Sequence, residues 1–240
     1  MKIKAVLFDL DGTLLPMDQD VFIKDYFTRL IRKVAPLGYD PVLLEKAIWK
    51  GSAAMVKNDG VRTNEEVFFD TFVGIMGEGI RVHLPVFDEF YKNEFDEVRH
   101  VCGYTPAADR IVKLVRSLGL RAVLATNPLF PPEATLARVR WAGLDAEDFE
   151  LITTYDNSFY CKPNTKYYLA ICEKLGLLPE ECLMVGNDVG DDMVAGKIGM
   201  DTFLLDDCLI NHMEDDVSNY SCGSFSELEN KILDLGKIVF

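Results

Sequence analysis

Hydrophobic and polar positions follow two different rules along this chain. Residues 3–8 are apolar except for Lys4, the pattern of a short strand buried on both faces of a parallel sheet. The run stops abruptly on Asp9 and Asp11. Between residues 18 and 100 the strand signal disappears and a helical period takes over. Phe22, Tyr26, Leu30 and Val34 recur every fourth position, which gives a helix over 18–34 one buried stripe. Further helices are predicted over 40–57, 64–76 and 84–101. Asp40 before Pro41 is an N-cap acid followed by proline at the first helical position. Thr63-Asn64-Glu65-Glu66 puts acids at the positive end of the next helix dipole. Phe68, Phe69 and Phe72, at helical spacing, should face the interior of this helical segment, and Trp49 and Trp141 should serve packing.

From Gly103 onward helices and strands alternate. Thr105-Pro106 opens a helix ending near Gly119, and strand 121–126, helix 132–141 and strand 149–153 follow. Helix 165–175, strand 182–186, a helix from Asp192, strand 202–205 and helix 224–237 complete the series. Such alternation requires right-handed crossovers and a parallel sheet. The predicted fold class is therefore α/β: a doubly wound, Rossmann-like core from residues 1–16 and 103–240, with an all-helical domain, residues 17–102, inserted after the first strand. The acidic, irregular stretch 206–223 reads as a surface loop.

Composition narrows the partners. The chain has 240 residues, 49% of them hydrophobic and 27% charged, which is ordinary for a globular protein. A net charge of −14 repels nucleic acid and anionic membranes alike, so neither is an expected partner. The six cysteines form no Cys-x-x-Cys pair and read as scattered reduced thiols. With no signal-peptide core and no run long enough to span a membrane, the expected location is the cytoplasm.

The chemistry gathers at strand ends. Asp9 and Asp11 fall at the carboxyl end of the first strand, where open α/β sheets hold their ligands. Two carboxylates two residues apart on an extended chain repel each other and invite a cation between them. Gly12 permits a sharp turn there, and Thr13 adds a hydroxyl. Strand 121–126 ends on Thr126-Asn127, Cys161-Lys162-Pro163 precedes a helix, and strand 182–186 runs into Asn187-Asp188-Val189-Gly190-Asp191-Asp192. The acids of that last run are the oxygen ligands a hard cation such as magnesium prefers.

Asp9-Leu10-Asp11-Gly12-Thr13, Thr126, Lys162-Pro163 and the acidic run after Gly186, in that order, resemble the four signatures of the haloacid dehalogenase (HAD) superfamily. The resemblance implies a HAD core with a C1-type helical cap and magnesium-dependent phosphatase activity on a small phosphorylated metabolite. It implies Asp9 as the nucleophile that forms an aspartyl-phosphate, and Asp11 as general acid and then base. Lys162 would neutralise charge on Asp9 and, with Thr126 and Asn127, hold the phosphoryl group. Mg2+ would be bound by Asp9, Asp11 through its backbone carbonyl, and Asp188, with Asp192 behind them orienting Lys162 or a water on the metal. The family pattern often has an acid where this chain has Asn187, so Asn187, Asp188, Asp191 and Asp192 remain alternatives for the metal ligand.

Three other readings accompany this one. A sugar phosphomutase of the β-phosphoglucomutase type shares the core and cap, and a Schiff-base enzyme would use Lys50 or Lys57. A catalytically idle HAD-fold binding protein would be expected to lack Asp9, Asp11 or Lys162, all of which are present. The expected partner is a small-molecule phosphoester, with monomer and homodimer both open.

Overall fold

The computed structural model describes residues 2–237; residue 1 and residues 238–240 of the predicted core segments lie outside the described residues. Six strands, β1 (Ala5–Phe8), β2 (Arg121–Leu124), β3 (Leu151–Ile152), β4 (Cys182–Gly186), β5 (Asp201–Leu205) and β6 (Cys222–Gly223), form one sheet. Their order is β3-β2-β1-β4-β5-β6, and every pairing is parallel. The order reverses between β1 and β4, and a doubly wound sheet opens its ligand crevice at that switch point. Phe8 pairs with Leu124 on one side and Val185 on the other. The residues just beyond, Asp9, Thr126 and Asn187, therefore leave the sheet side by side.

All four residues of β1 are buried, because helices cover both faces of the sheet. Val6 and Phe8 point into one hydrophobic cluster, with Leu124, Val185 and Ile111. Ala5 and Leu7 point into the other, with Met184, Tyr168 and Ile171. The helices around the sheet are α5 (Pro106–Ser117), α6 (Pro132–Trp141), α7 (Thr165–Leu175) and α8 (Phe225–Lys237), the last four in chain order. The first four are α1 (Gln19–Val34), α2 (Pro41–Val56), α3 (Asn64–Met76) and α4 (Leu84–Lys92), and they make up the insert after β1. The chain leaves the core at Met17 and returns beside it, through an antiparallel bridge from Met17 to Cys102.

The buried stripe of α1 is Phe22, Tyr26, Leu30 and Val34, as the four-residue spacing predicts, joined by Phe27. Thr63 and Glu66 close a capping box at the start of α3. Asn64 at the first position of that helix is fully buried and ties it to the core. Its Nδ2 donates to the carbonyls of Pro128 and Tyr160, 3.3 Å each. Phe72 is buried and Phe68 and Phe69 are half-buried among the insert's aromatics. Trp141 is buried and donates to Asp96 at 2.6 Å, whereas Trp49 is half exposed, stacked on Phe27.

Several sequence expectations require correction. The helix predicted over 84–101 breaks at Asn93, and Glu94–Val101 continues as a 3-10 helix. The tighter period aligns Phe95 and Val98, three apart, and both are completely buried. The helix expected from Asp192 is the 3-10 helix Met193–Ile198, with Gly196 within it and Gly199 closing it. The supposed loop 206–223 ends in β6, which pairs Cys222 with Leu204 and Gly223 with Leu205. A two-residue strand carries no periodicity of its own. Among the described residues, no helix is long and apolar enough to cross a membrane.

Candidate active site

Asp9 follows β1 and is nearly buried. Its Oδ1 accepts from Lys162 Nζ at 2.8 Å, and its Oδ2 accepts from the Thr13 hydroxyl at 3.1 Å. The same hydroxyl reaches Asn187 Oδ1 at 2.9 Å, and Asn187 Nδ2 donates to the carbonyl of Cys208 at 2.6 Å. Both ends of the Asn187 amide thus fasten loops together. Between these groups sits Gly12 at φ +88°, where a Cβ would lie 2.4 Å from Asn187 Nδ2. Left-handed backbone and lack of space both require glycine there.

Lys162 is 2% exposed, and its ammonium bridges two carboxylates: Asp9 at 2.8 Å and Asp192 Oδ1 at 2.6 Å. Burial alone would lower its pKa, but Asp192 and Asp9 more than offset this and hold it well above the ordinary lysine value. Burial pushes the Asp192 carboxyl up, against the opposing pull of Lys162. The other oxygen of Asp192 accepts the Asp188 backbone N–H at 3.0 Å. Asp188 Oδ1 in turn accepts the N–H groups of Gly190 and Asp191, at 2.7 and 2.9 Å, which shapes the loop after β4.

Thr126 and Asn127 extend from β2 over the same crevice. The Thr126 carbonyl accepts from the hydroxyls of Thr153 at 2.7 Å and Tyr167 at 2.9 Å, so β3 and α7 fix the loop's position. Asn127 Nδ2 donates to Asp191 Oδ2 at 3.1 Å. Asp191 is also pushed up from the ordinary carboxylate range, chiefly by burial.

Arg138 on α6 is the residue that sequence reasoning missed. Its guanidinium is buried, donates to Asp11 Oδ2, and lies 4.5 Å from the Phe130 ring centroid. Burial raises the Asp11 pKa above its usual value and Asp9 adds to the rise, while Arg138 and Lys162 oppose it. A basic residue in the last turn of a helix reads as an ordinary dipole complement. Its partner lies 127 positions away, so no local signal marks it.

Asp9, Asp11, Thr126, Asn127, Lys162, Asn187, Asp188, Asp191 and Asp192 all line one pocket of about 150 Å³. All the side chains singled out from the sequence as site residues thus come together. Lys50 and Lys57 do not: both are exposed on or beside α2 and line neither this pocket nor the cavity beside it, so the Schiff-base reading fails. The five carboxylates of the pocket face two cations, Lys162 and, through Asp11, Arg138. That excess of negative oxygen donors suits a hard divalent cation. Asp11 Oδ1 and Asn127 Oδ1 are buried without a hydrogen-bond partner, which marks the pocket as poised for a polar ligand. Among the described residues, no three His, Cys, Asp or Glu side chains form a ready metal cage.

The haloacid dehalogenase-like hydrolase family model matches residues 3–199. The chain belongs to this family. Among curated relatives, it is 28% identical over 200 residues to the phosphoglycolate phosphatase of Chromobacterium violaceum, covering 82% of each chain. It is 25% identical over 245 residues to the glyceraldehyde 3-phosphate phosphatase of Methanopyrus kandleri, covering 98% of this chain and 99% of that one. Among solved structures, a HAD phosphatase from Thermococcus onnurineus superposes with a TM-score of 0.56 at 23% identity, covering 96% of this chain and 98% of that one. The last similarity speaks for the fold. A phosphatase-like member of the HAD hydrolases, as the four motifs implied, is what these relatives support.

Proposed function

We propose that this hydrolase cleaves a small phosphomonoester through an aspartyl-phosphate formed on Asp9. One observation carries the reading: a buried lysine ammonium bonded to both Asp9 and Asp192, in the pocket where Thr126 and Asn127 converge. Burying a cation with two carboxylates desolvates three charges, a cost that their pairing only partly offsets, and such buried charge clusters concentrate at functional sites.

Asp9 attacks phosphorus in line, forming the acyl-phosphate bond as the bond to the leaving oxygen breaks. Asp11 gives its proton to that oxygen, and its raised pKa suits it to carry one. Water then attacks the phosphorus, Asp11 accepts its proton, and phosphate departs from a restored Asp9. Lys162 and the Thr126 hydroxyl hold the phosphoryl oxygens, and Arg138 holds Asp11 in place. The five-carboxylate pocket fits magnesium, which Asp9, Asp188 and the Asp11 carbonyl would hold; when bound, it supplies positive charge against the phosphoryl group. The helical segment 17–102 acts as a cap that keeps bulk water from the site. Six free cysteines fit a reducing, cytoplasmic setting. The relatives act on different phosphate esters, so none of their substrates carries over by similarity alone.

The test is Asp9→Asn with an aryl phosphate and magnesium, following phosphate release. Turnover should fall to below roughly one thousandth of the wild-type value, as for removal of a covalent nucleophile. Wild-type turnover in the variant overturns the assignment.

A further inference from the structure

A second cavity, of about 110 Å³, adjoins the phosphoryl pocket. Ile23, Leu129 and Phe130 line both, so the two spaces are neighbours separated by no more than these three side chains. The helical insert provides most of the remaining wall, including Phe27, Phe68, Phe69, Phe72 and Phe87. Among the described residues, the lining contains no Lys, Arg or His. Its one charged member is Asp88, exposed at the rim. The hydroxyls of Tyr26 and Tyr91 are spent on each other at 2.6 Å.

This lining is selective through what it omits. An anionic leaving group, such as a carboxylate or second phosphate, would be desolvated against aromatic rings with no cation to meet it, and would face Asp88. A polyhydroxylated leaving group would lose more hydrogen bonds to water than Ser52 and Tyr155 can replace. An apolar group gains from burial here. Size sets the other limit: at about 110 Å³ the cavity is smaller than the roughly 150 Å³ that takes up benzene, so it admits at most one ring, with part of that ring left in the cavity mouth. An apolar space left unfilled beside a reacting centre is otherwise a liability to the fold.

Resting on the phosphatase reading above, we propose that this cavity receives the leaving-group end of the substrate, which is a phosphomonoester of an uncharged, apolar alcohol about one ring in size. The experiment compares benzyl phosphate, ethyl phosphate and 2-phosphoglycolate, all esters of primary alcohols, by kcat/KM for phosphate release with magnesium. Benzyl phosphate should exceed ethyl phosphate by at least about tenfold, and 2-phosphoglycolate by about a hundredfold. Ser52→Lys, which sets a cation in the wall, should lower the benzyl-to-phosphoglycolate ratio at least about tenfold; a ratio needs no assumption about the variant's overall activity. A wild-type ratio near one, or a ratio unmoved by Ser52→Lys, overturns the proposal. If none of the three is hydrolysed but an aryl phosphate is, the cavity proposal is overturned and the phosphatase reading stands; if the aryl phosphate is not hydrolysed either, the phosphatase reading has failed. Calorimetric binding of benzyl phosphate and 2-phosphoglycolate to the same proteins then decides the cavity's selectivity separately, with equal affinities overturning it.

Discussion

Replacing Arg138 with methionine keeps most of the buried stem and removes the guanidinium that Asp11 faces. The side chain of Arg138 is 1% exposed and that of Asp11 is 21% exposed, so the lost partner leaves a carboxylate mostly out of water. Removing one member of a buried ion pair costs about 3–5 kcal/mol. Asp11 borders a pocket, where water can reach it, so the lower end applies, about 3 kcal/mol. For a chain of this size that is a drop in Tm of roughly 6–12 °C. The kinetic effect follows from the same contact. General acid catalysis contributes roughly 10²–10⁴ in rate, and a misplaced acid should forfeit about tenfold to a hundredfold of it.

The pH dependence has a definite sign. Asp11 must be protonated to serve the leaving oxygen, so kcat/KM falls as pH rises through its pKa. Burial sets that pKa above the ordinary carboxylate value and Arg138 pulls it down, so Arg138→Met should move the alkaline limb to higher pH. Thermal unfolding and pH–rate profiles of wild type, Arg138→Met, Asp11→Asn and the double variant check both effects. The double variant has neither charge and should melt above Arg138→Met alone. In the Asp11→Asn background, loss of Arg138 should change turnover less than about threefold, because its target is already gone. A full additional loss there would refute the claim that Arg138 works through Asp11.

Three other perturbations probe the rest of the pocket. Gly12→Ala forces a Cβ into the left-handed region and against Asn187, displacing the amide that joins Thr13 to the Cys208 carbonyl; a cost of about 1–3 kcal/mol is expected in denaturant unfolding, and a wild-type midpoint would refute it. Lys162→Met strands Asp9 and Asp192 without their cation, so Asp192, already raised by burial, should rise further. A carboxyl raised in the folded state loses stability as pH rises through its folded pKa, so this variant should be weaker at pH 8 than at pH 5, relative to wild type, by chemical denaturation. Chelation should reduce phosphate release to background and added Mg2+ should restore it; turnover indifferent to chelator would contradict the reading of the carboxylate pocket as a cation site.

How much of this was legible in the sequence depends on whether the signal was local. Helices over 132–141 and 165–175 and the strand over 182–186 have the bounds their periodicity predicted. Asp9, Thr126 and Asp188 were legible because each lies within two residues of the end of an apolar strand, and a parallel sheet brings such ends together whatever lies between them. Lys162 needed its motif, since a lone lysine carries no sign that it will be buried. Arg138 had no motif, and its meaning is a contact made only when α6 packs beside the loop after β1. The break at Asn93 was hidden for a related reason. The apolar residues of 84–101 fit a helix, but burial of Phe95 and Val98 against the insert favours the tighter 3-10 turn. The second cavity lay furthest from view, because a stripe of phenylalanines at helical spacing looks the same whether it fills a core or leaves a space.

The two pockets together address the difficulty posed by a net charge of −14. A protein this acidic repels a phosphate ester at long range and must win it back at contact. It does so with Lys162 and Arg138, both buried where a low dielectric strengthens each interaction, yet both already paired with carboxylates. Even with Asp11 carrying its proton, four other carboxylates against two cations leave the phosphoryl pocket negative, so a dianionic group needs further positive charge before it can settle there. That deficit is the physical argument for magnesium. It also makes the neighbouring cavity's neutrality consequential. A second anion on the leaving group would meet the same long-range repulsion and then find no cation at the far end to offset it. Charge therefore selects at one end of the substrate and its absence at the other, so reversing the benzyl-to-phosphoglycolate preference should require a new cation in the cavity and not a change at Asp9, Lys162 or Asp188.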